Sequence, residues 1–417
     1  METNTFLIQN EAGVLGLLMV TLAIILYTSS LSTPFWKKFY TFFPALLLCY
    51  FIPALFNWPL GLIDGQNAKI YPIARDYFLP ASLVLLCLSI DMKGIFSLGP
   101  KAIIMFLAAT FGVILGGPIA LLTVKYLFPN LIASAGSDLW KGMSAIAGSW
   151  IGGSANQTAM REIYLVPQDL FGTMLIIDVI VANFWMAFLL YGAGKTAVID
   201  KWLRADTNAI EALKLKTAQY RNSIEKKATT LDLVVLMAVT FGIVGISHLL
   251  TDSIMPYLKA NETWLTRWRL SALVSGFFWV VVIATTLGVL ASFTPAKKLE
   301  GVGASKWGSV FIYILVTTIG MQMNLREVFQ HLGLFAIGII WMMVHALIII
   351  GVARWIKAPF FFVAVGSQAN IGGAASAPIV ASAFDVALAP VGVLLAVLGY
   401  ALGTYGGIVC AQLMQII

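Results

Sequence analysis

Long apolar runs separated by short polar joints dominate this chain. Runs at 12–30, 38–56, 76–92, 101–125, 169–191, 231–250, 269–292, 306–323, 332–353 and 386–415 come near the roughly 20 residues that carry a helix across a hydrocarbon core. They predict ten crossing helices. Two further stretches, 142–163 and 361–384, are long enough to cross but are rich in Gly, Ser, Asn and Gln. One long polar segment, 192–230, separates the two halves. It sets Lys195, Lys201, Arg204, Lys214, Lys216, Arg221, Lys226 and Lys227 against Asp200, Asp206, Glu211 and Glu225. It reads as a helical linker, a solvated connector.

The halves repeat each other. Ile90-Asp91-Met92-Lys93-Gly94-Ile95-Phe96 matches Met323-Asn324-Leu325-Arg326-Glu327-Val328-Phe329, each at the end of a short apolar run. Further on, the first half reads Gly148-Ser149-Trp150-Ile151-Gly152-Gly153-Ser154-Ala155-Asn156. The second reads Gly366-Ser367-Gln368-Ala369-Asn370-Ile371-Gly372-Gly373-Ala374. Each then reaches an Asp (Asp169, Asp385) and a long helix. Matched features in the same order imply an internal duplication, with repeats at 1–191 and 231–417.

Composition fixes the solvent. Of 417 residues, 60% are apolar and 11% charged, where soluble domains carry about 25% charged residues. Mean hydropathy is +0.90. One or two soluble cores could not hide so much apolar surface. A cytosolic enzyme, a disordered chain and a secreted disulfide scaffold are excluded, leaving an integral membrane protein. The net charge of +7 lies in short loops, the signature of membrane orientation and not of a nucleic-acid face. Cys49, Cys87 and Cys410 sit inside apolar runs with no metal-site spacing. Glu2 and Glu11 replace the basic start of a signal peptide, so 12–30 is expected to stay as the first crossing helix.

With the N-terminus outside and the Gly-rich stretches not crossing, 17 of the 26 basic residues face the cytoplasm. Twelve crossings with the N-terminus inside give the same division. The acidic residues before the first helix and Lys37-Lys38 after it select the first arrangement. The protein is then a multi-pass plasma (inner) membrane protein with loop 192–230 cytoplasmic. Five helices per half make the second repeat inverted, an architecture known among transporters with a midplane site. The two Gly-rich stretches become re-entrant hairpins or broken helices entering from opposite faces.

Irregular backbone at membrane depth survives only where protein or a water-filled cavity surrounds it. Gly-Gly permits a tight turn, freed carbonyls can hold a cation, and short-helix N-termini can hold an anion. Na+ is a hard cation that suits oxygen ligands. Ser149, Gly152, Gly153, Ser154, Asn156 and Gln157 are the candidates in the first stretch. Ser367, Gln368, Asn370, Gly372, Gly373 and Ser376 are those in the second. The competing explanation is that small residues merely let helices pack closely.

The pair Gly152-Gly153-Ser154-Ala155-Asn156 and Ser367 to Gly373 resembles the two signatures of the domain-of-unknown-function family 819. The resemblance spans essentially the whole chain, including Ile319-Gly320 and Asp178 followed by Asn183 and Trp185. That family is related to a superfamily including sodium/glutamate and 2-hydroxycarboxylate symporters. The resemblance implies that Gly152, Gly153 and Asn156 occupy one hairpin tip and Asn370, Gly372 and Gly373 the other. Ala374 stands where the pattern has Pro.

Asp178, near the middle of 169–191, is an intramembrane carboxylate and hence a site candidate, for a coupling cation or a proton, with Asn183 as its neighbour. Asn156, Asn370 and Asp178 are the candidate Na+ ligands. No carboxylate occupies the matching stretch around Ala396. Thr317, Thr318 and Gln322 crowd one short helix expected beside a hairpin, with Thr318 the candidate ligand. Asp91 reads as interfacial, Arg161-Glu162 as an interfacial pair, and His248 and His345 as packing residues. No HExxH, GxSxG or Walker loop occurs, and Ser154 has no evident base. An enzyme is not expected, and no cofactor beyond Na+ as coupling ion.

The expectation is an all-α, inverted-repeat secondary transporter with two re-entrant or discontinuous segments. Helices 12–56 and 231–292 form a scaffold against which the rest moves. Its cargo is a small polar or anionic organic solute (amino acid, carboxylate or small peptide) carried with Na+ by alternating access. Alternatives are a Na+/H+ or proton-coupled exchanger using Asp178, and a channel or non-transporting scaffold. The expected partners are the lipid bilayer, the solute, Na+ or H+, and a second copy in a homodimer.

Overall fold

A computed structural model describes residues 6–65, 67–129, 138–206, 228–268, 270–323, 333–385 and 388–417. Among the described residues every regular element is a helix and no strand forms. The second copy of the short repeated motif, 324–329, and most of the linker lie outside them.

The chain begins with α1 (Glu11–Ser30), where the Asn10 side chain accepts from the Ala12 amide at 2.8 Å. The run 38–56 predicts one helix, but two form, α2 (Pro34–Phe42) and α3 (Ala45–Asn57), bent by 80°. Pro44 has no N–H to donate and drives Phe43 out of the helical region, to φ −122 and ψ 82. α4 (Ile70–Leu88) contains a π turn at Ala74–Phe78. Short α5 (Met92–Ser97), with Asp91 at its N-cap, leads into α6 (Pro100–Leu127). Then come α7 (Leu139–Gly152), α8 (Ser154–Tyr164), α9 (Gln168–Ala193) and short α10 (Thr196–Leu203).

The second half starts with α11 (Thr230–Ala260), opened by a capping box between Thr229 and Asp232 and running past its predicted end at 250. After α12 (Glu262–Arg267), α13 (Gly276–Ser292) starts at the Ser275 cap and not at 269. A 3-10 turn, Pro295–Val302, leaves it at 96°. α14 (Ala304–Gly320), α15 (Phe335–Trp355), α16 (Phe360–Ile371), α17 (Gly373–Phe384) and α18 (Ala389–Ile416) complete the chain. Seven described helices are long and apolar enough to cross a bilayer, or nine if each bent pair counts as one span. The tenth predicted crossing corresponds to α14, which at 17 residues falls short.

The helices gather into two bundles. In one, α4 packs on α13 and α14, with α1, α3 and α11 around them. In the other, α6 packs on α15 and α16, and α18 packs on α7 and α17, with α8 and α9 completing it. The first bundle therefore includes 70–88 and 304–320, which the sequence reading assigned to the moving part. Their apolar faces are covered by scaffold helices instead.

Both Gly-rich stretches double back. A Cβ on Gly148 would come within 2.6 Å of the Asn156 carbonyl, whereas eight residues of straight helix span about 12 Å. Gln368 Nε2 donates to Ser376 Oγ at 2.7 Å across the second break, again eight residues apart. Trp140 meets Tyr164 edge to face at 5.4 Å at the open end of the first hairpin, where Leu170 of α9 packs on Gly142. At the open end of the second, Phe384 packs on Phe360 and Phe361, and the Phe360 ring abuts Gly192 at the far end of α9. The hairpins thus open at opposite ends of a 26-residue helix about 39 Å long.

The glycines divide by task. Gly148 and Gly152 lie against α18, where a Cβ on Gly403 would come within 2.6 Å of the Gly152 Cα. This is close small-residue packing. At Gly153 and Gly373 an added Cβ would meet nothing within 4 Å, yet φ is +79 and +58. Those two are there for the backbone. Gly153, with ψ −171, occupies a region essentially reserved for glycine, so Gly153→Ala should cost about 1–3 kcal/mol. Gly373→Ala, at φ +58, should destabilise as well, since the side chain has room but the backbone is strained. Thermal melts of the purified variants in detergent measure both.

Candidate functional site

The two breaks meet. A cavity of about 290 Å³ is lined by Gly153, Ser154 and Ala155 from the first hairpin and by Gly372, Gly373, Ala374 and Ala375 from the second. Leu86 of α4, Ser309, Ile312 and Tyr313 of α14 and Tyr400 of α18 close the rest. No side chain caps the N-terminus of α8 or of α17. Each start presents backbone N–H groups and the positive end of a helix dipole to the cavity. The lining includes no Lys, Arg, Asp or Glu. Such a site suits a small polar molecule or a single anionic group, held by hydroxyls and peptide N–H groups.

Of the sequence candidates, Gly153, Ser154, Gly372 and Gly373 reach this cavity, and Gly152 packs behind it. Others brace the hairpins. Asp178 on α9 accepts from Ser149 Oγ at 2.6 Å, Trp150 Nε1 at 2.6 Å and Gln157 Nε2 at 2.7 Å, tying both arms of the first hairpin to α9. In the second hairpin Ser367 Oγ accepts from Trp185 Nε1 at 2.8 Å and lies 2.8 Å from His345 Nε2. Ser376 holds Gln368 across the turn.

The asparagines form matching clamps. Asn156 Nδ2 donates to the carbonyls of Gly152 and Tyr400, and its Oδ1 accepts from Thr404 at 2.6 Å. Asn370 Nδ2 donates to those of Gly366 and Phe106, and its Oδ1 accepts from Thr110 at 2.7 Å. Each Asn therefore pins its hairpin to a long helix, α18 or α6. Asn156, Asn370 and Asp178, grouped as Na+ ligands from the sequence, are each held by separate protein partners. Asn183 is not beside Asp178: five residues advance a helix about 140° beyond a full turn. It lies instead in an apolar groove with Phe43, Leu47 and Phe51. Thr318 bonds the Leu315 carbonyl at 2.7 Å, while α14 meets the cavity further back, at Ser309 and Tyr313.

Arg161-Glu162, expected as an interfacial pair, sits inside the protein. Both are buried, and Glu162 also binds Arg75 Nε at 2.9 Å and the Tyr71 hydroxyl at 2.6 Å. The cavity residues missed in the sequence are Tyr313, Tyr400 and Ser309, lone polar groups in apolar helices that carry no spacing signal. The linker, too, is more than a connector. Asp200 Oδ1 accepts the Phe360 amide at 2.7 Å, Lys101 pairs with Asp206 at 3.0 Å, and Arg354 donates to the Trp202 carbonyl. Residues 196–206 thus strap the open end of the second hairpin.

All-helical apolar bundles of this kind define a multi-pass integral membrane protein. The chain belongs to the family described as "Protein of unknown function (DUF819)", which matches residues 16–417. It is similar to "Uncharacterized membrane protein YjcL" of Bacillus subtilis (strain 168), 22% identical over 357 residues that make up 84% of each chain.

Burial pushes the Asp200 carboxyl up, and the Phe360 N–H offsets part of that. A carboxyl whose folded pKa lies above its unfolded value holds its proton longer when folded. Its contribution to stability therefore falls as pH rises from the ordinary range near 4 through the raised folded value. Asp200→Asn, which keeps an acceptor oxygen, should remove that part of the slope. Melting temperature against pH, wild type beside variant, is the measurement.

Proposed function

We propose that this protein is a secondary transporter that carries a small polar or monoanionic organic solute with Na+ by alternating access. The observation that carries the reading is the single cavity shared by two glycine breaks from separate hairpins. The opposed open ends of the hairpins along α9 support re-entrant segments in an inverted repeat, 1–191 against 231–417. On this reading the N-terminus lies outside and 192–230 faces the cytoplasm of the plasma (inner) membrane. The uncapped N-termini of α8 and α17 receive the solute's anionic group, and Ser154, Ser309, Tyr313 and Tyr400 select the remainder. The bundle carrying both hairpins moves against the α4–α13–α14 bundle.

For the coupling ion the best-placed oxygens are Oε1 of Gln157 and of Gln368. Each is buried without a hydrogen-bond partner, four residues from Gly153 and from Gly372 respectively. An unpaired buried carbonyl is costly, and a hard cation relieves it.

A thermal-shift screen of organic acids, amino acids and small peptides, with and without Na+, tests the reading. A solute at 100 times its Kd should stabilise by about 2.7 kcal/mol, and only with Na+ present. Ala374→Trp, which fills the cavity, should abolish the shift and at least tenfold of Na+-driven uptake into proteoliposomes. Gln157→Leu with Gln368→Leu should raise the Na+ concentration needed for the shift at least tenfold. A screen in which no solute stabilises, or an Ala374→Trp protein that responds like wild type, removes the proposal.

A further inference from the structure

At the root of the first hairpin, two guanidinium groups and one carboxylate are gathered between the two bundles. Glu162 belongs to α8 of the hairpin bundle, and Arg75 and Tyr71 to α4 of the other. Across the boundary run Arg75 Nε to Glu162 Oε2 at 2.9 Å, the Tyr71 hydroxyl to Glu162 Oε1 at 2.6 Å, and Arg161 to the Tyr71 hydroxyl at 2.9 Å. Tyr50 of α3 adds a weaker contact, its hydroxyl 3.4 Å from that of Thr158. Glu162 lies nine residues, roughly 13 Å, along α8 from the tip at Gly153, and none of these groups lines the cavity.

Breaking a buried ion pair is prohibitive when it strands a charge. Here neither charge is stranded, because each has a second partner on its own side. Glu162 keeps its chain neighbour Arg161, which itself rests 5.4 Å from the Phe171 ring of the same bundle. Arg75 keeps the ring of Phe277 on α13 at 4.7 Å and the carboxylate of Asp76 at 3.8 Å. A purely structural pair needs no such duplicate partners.

We propose that Arg75 and Tyr71 with Glu162 form a releasable latch that holds the hairpin bundle against the other bundle in the state seen here. The proposal rests on the transport reading, since it requires the bundles to move. When the latch parts, two internally neutralised surfaces separate, Arg161–Glu162 on one and Arg75–Asp76–Phe277 on the other.

The test is the distance between spin labels on cysteines placed at Tyr126 of α6 and Tyr257 of α11, both largely exposed, in the full-length protein in nanodiscs. Wild type should give one dominant distance. Arg75→Gln and Glu162→Gln should each add a second, resolved distance, and Arg75→Lys should restore the single one. Lys141→Gln, which removes a pair with Asp138 within the same hairpin arm, should change nothing. If Na+ or a stabilising solute shifts the wild-type distance but Arg75→Gln and Glu162→Gln do not, the latch is wrong and the carrier stands. If no variant and no condition moves the distance, the bundles are rigid and both ideas fall. A variant that melts lower but keeps one distance assigns the cluster a structural role only and overturns the latch.

Discussion

A peptide group inside hydrocarbon has no water to bond, so a helix that stops there needs either a protein partner or a wet space at its end. The chain stops helices twice inside its hairpin bundle, at Gly153 and at Gly372–Gly373. Everything around the breaks follows from that constraint. The left-handed backbone at Gly153 and Gly373 reverses the chain within a residue or two, which leaves the first N–H groups of α8 and α17 without intrahelical acceptors. Bringing both ends to one cavity gives those groups a common place to be solvated or occupied.

Such turns hold only if their arms are held from outside, because glycine supplies freedom and no restraint. The polar side chains in the two stretches supply the restraint. Asn156 and Asn370 solve the same problem in the same way, an amide bonded to a carbonyl of a long helix and to a threonine hydroxyl four residues on. Asp178 and the Trp185–Ser367–His345 group then brace the two hairpins differently, one with a carboxylate and one with neutral donors and acceptors. Charge near the cavity is therefore asymmetric although the backbone plan is not.

The parts legible in the sequence are those governed by composition over many residues. Runs of 17–30 apolar residues locate most helices, and the paired Gly-Gly stretches locate both breaks. What escaped depends on single residues or on direction. Pro44 alone splits 38–56, and its effect is geometric where hydropathy is flat. Asn183 looked close to Asp178 along the chain, yet helical rotation sends it to another face. Asparagine in a Gly-rich membrane stretch reads equally as ligand or as clamp; only Thr404 and Thr110, hundreds of residues away in the chain, decide between them. Tyr313 and Tyr400 are indistinguishable in sequence from packing tyrosines, because the cavity they line is assembled from five separate parts of the chain.

The assignment of α4 and α14 to the non-hairpin bundle changes the physical picture most. Leu86 of α4 and Ser309, Ile312 and Tyr313 of α14 form the wall facing the two glycine breaks. The cavity thus lies on the boundary between the bundles and is not enclosed within one of them. A molecule held there touches both bodies, with polar backbone on one side and apolar or hydroxyl-bearing side chains on the other. Any sliding of one bundle past the other must remake half of its contacts while the hairpin half travels intact. Under the proposed transport reading, binding energy concentrated on the hairpin tips, with a weakly bonding opposite wall, is the distribution that would let a solute travel with the hairpin bundle without anchoring it in place.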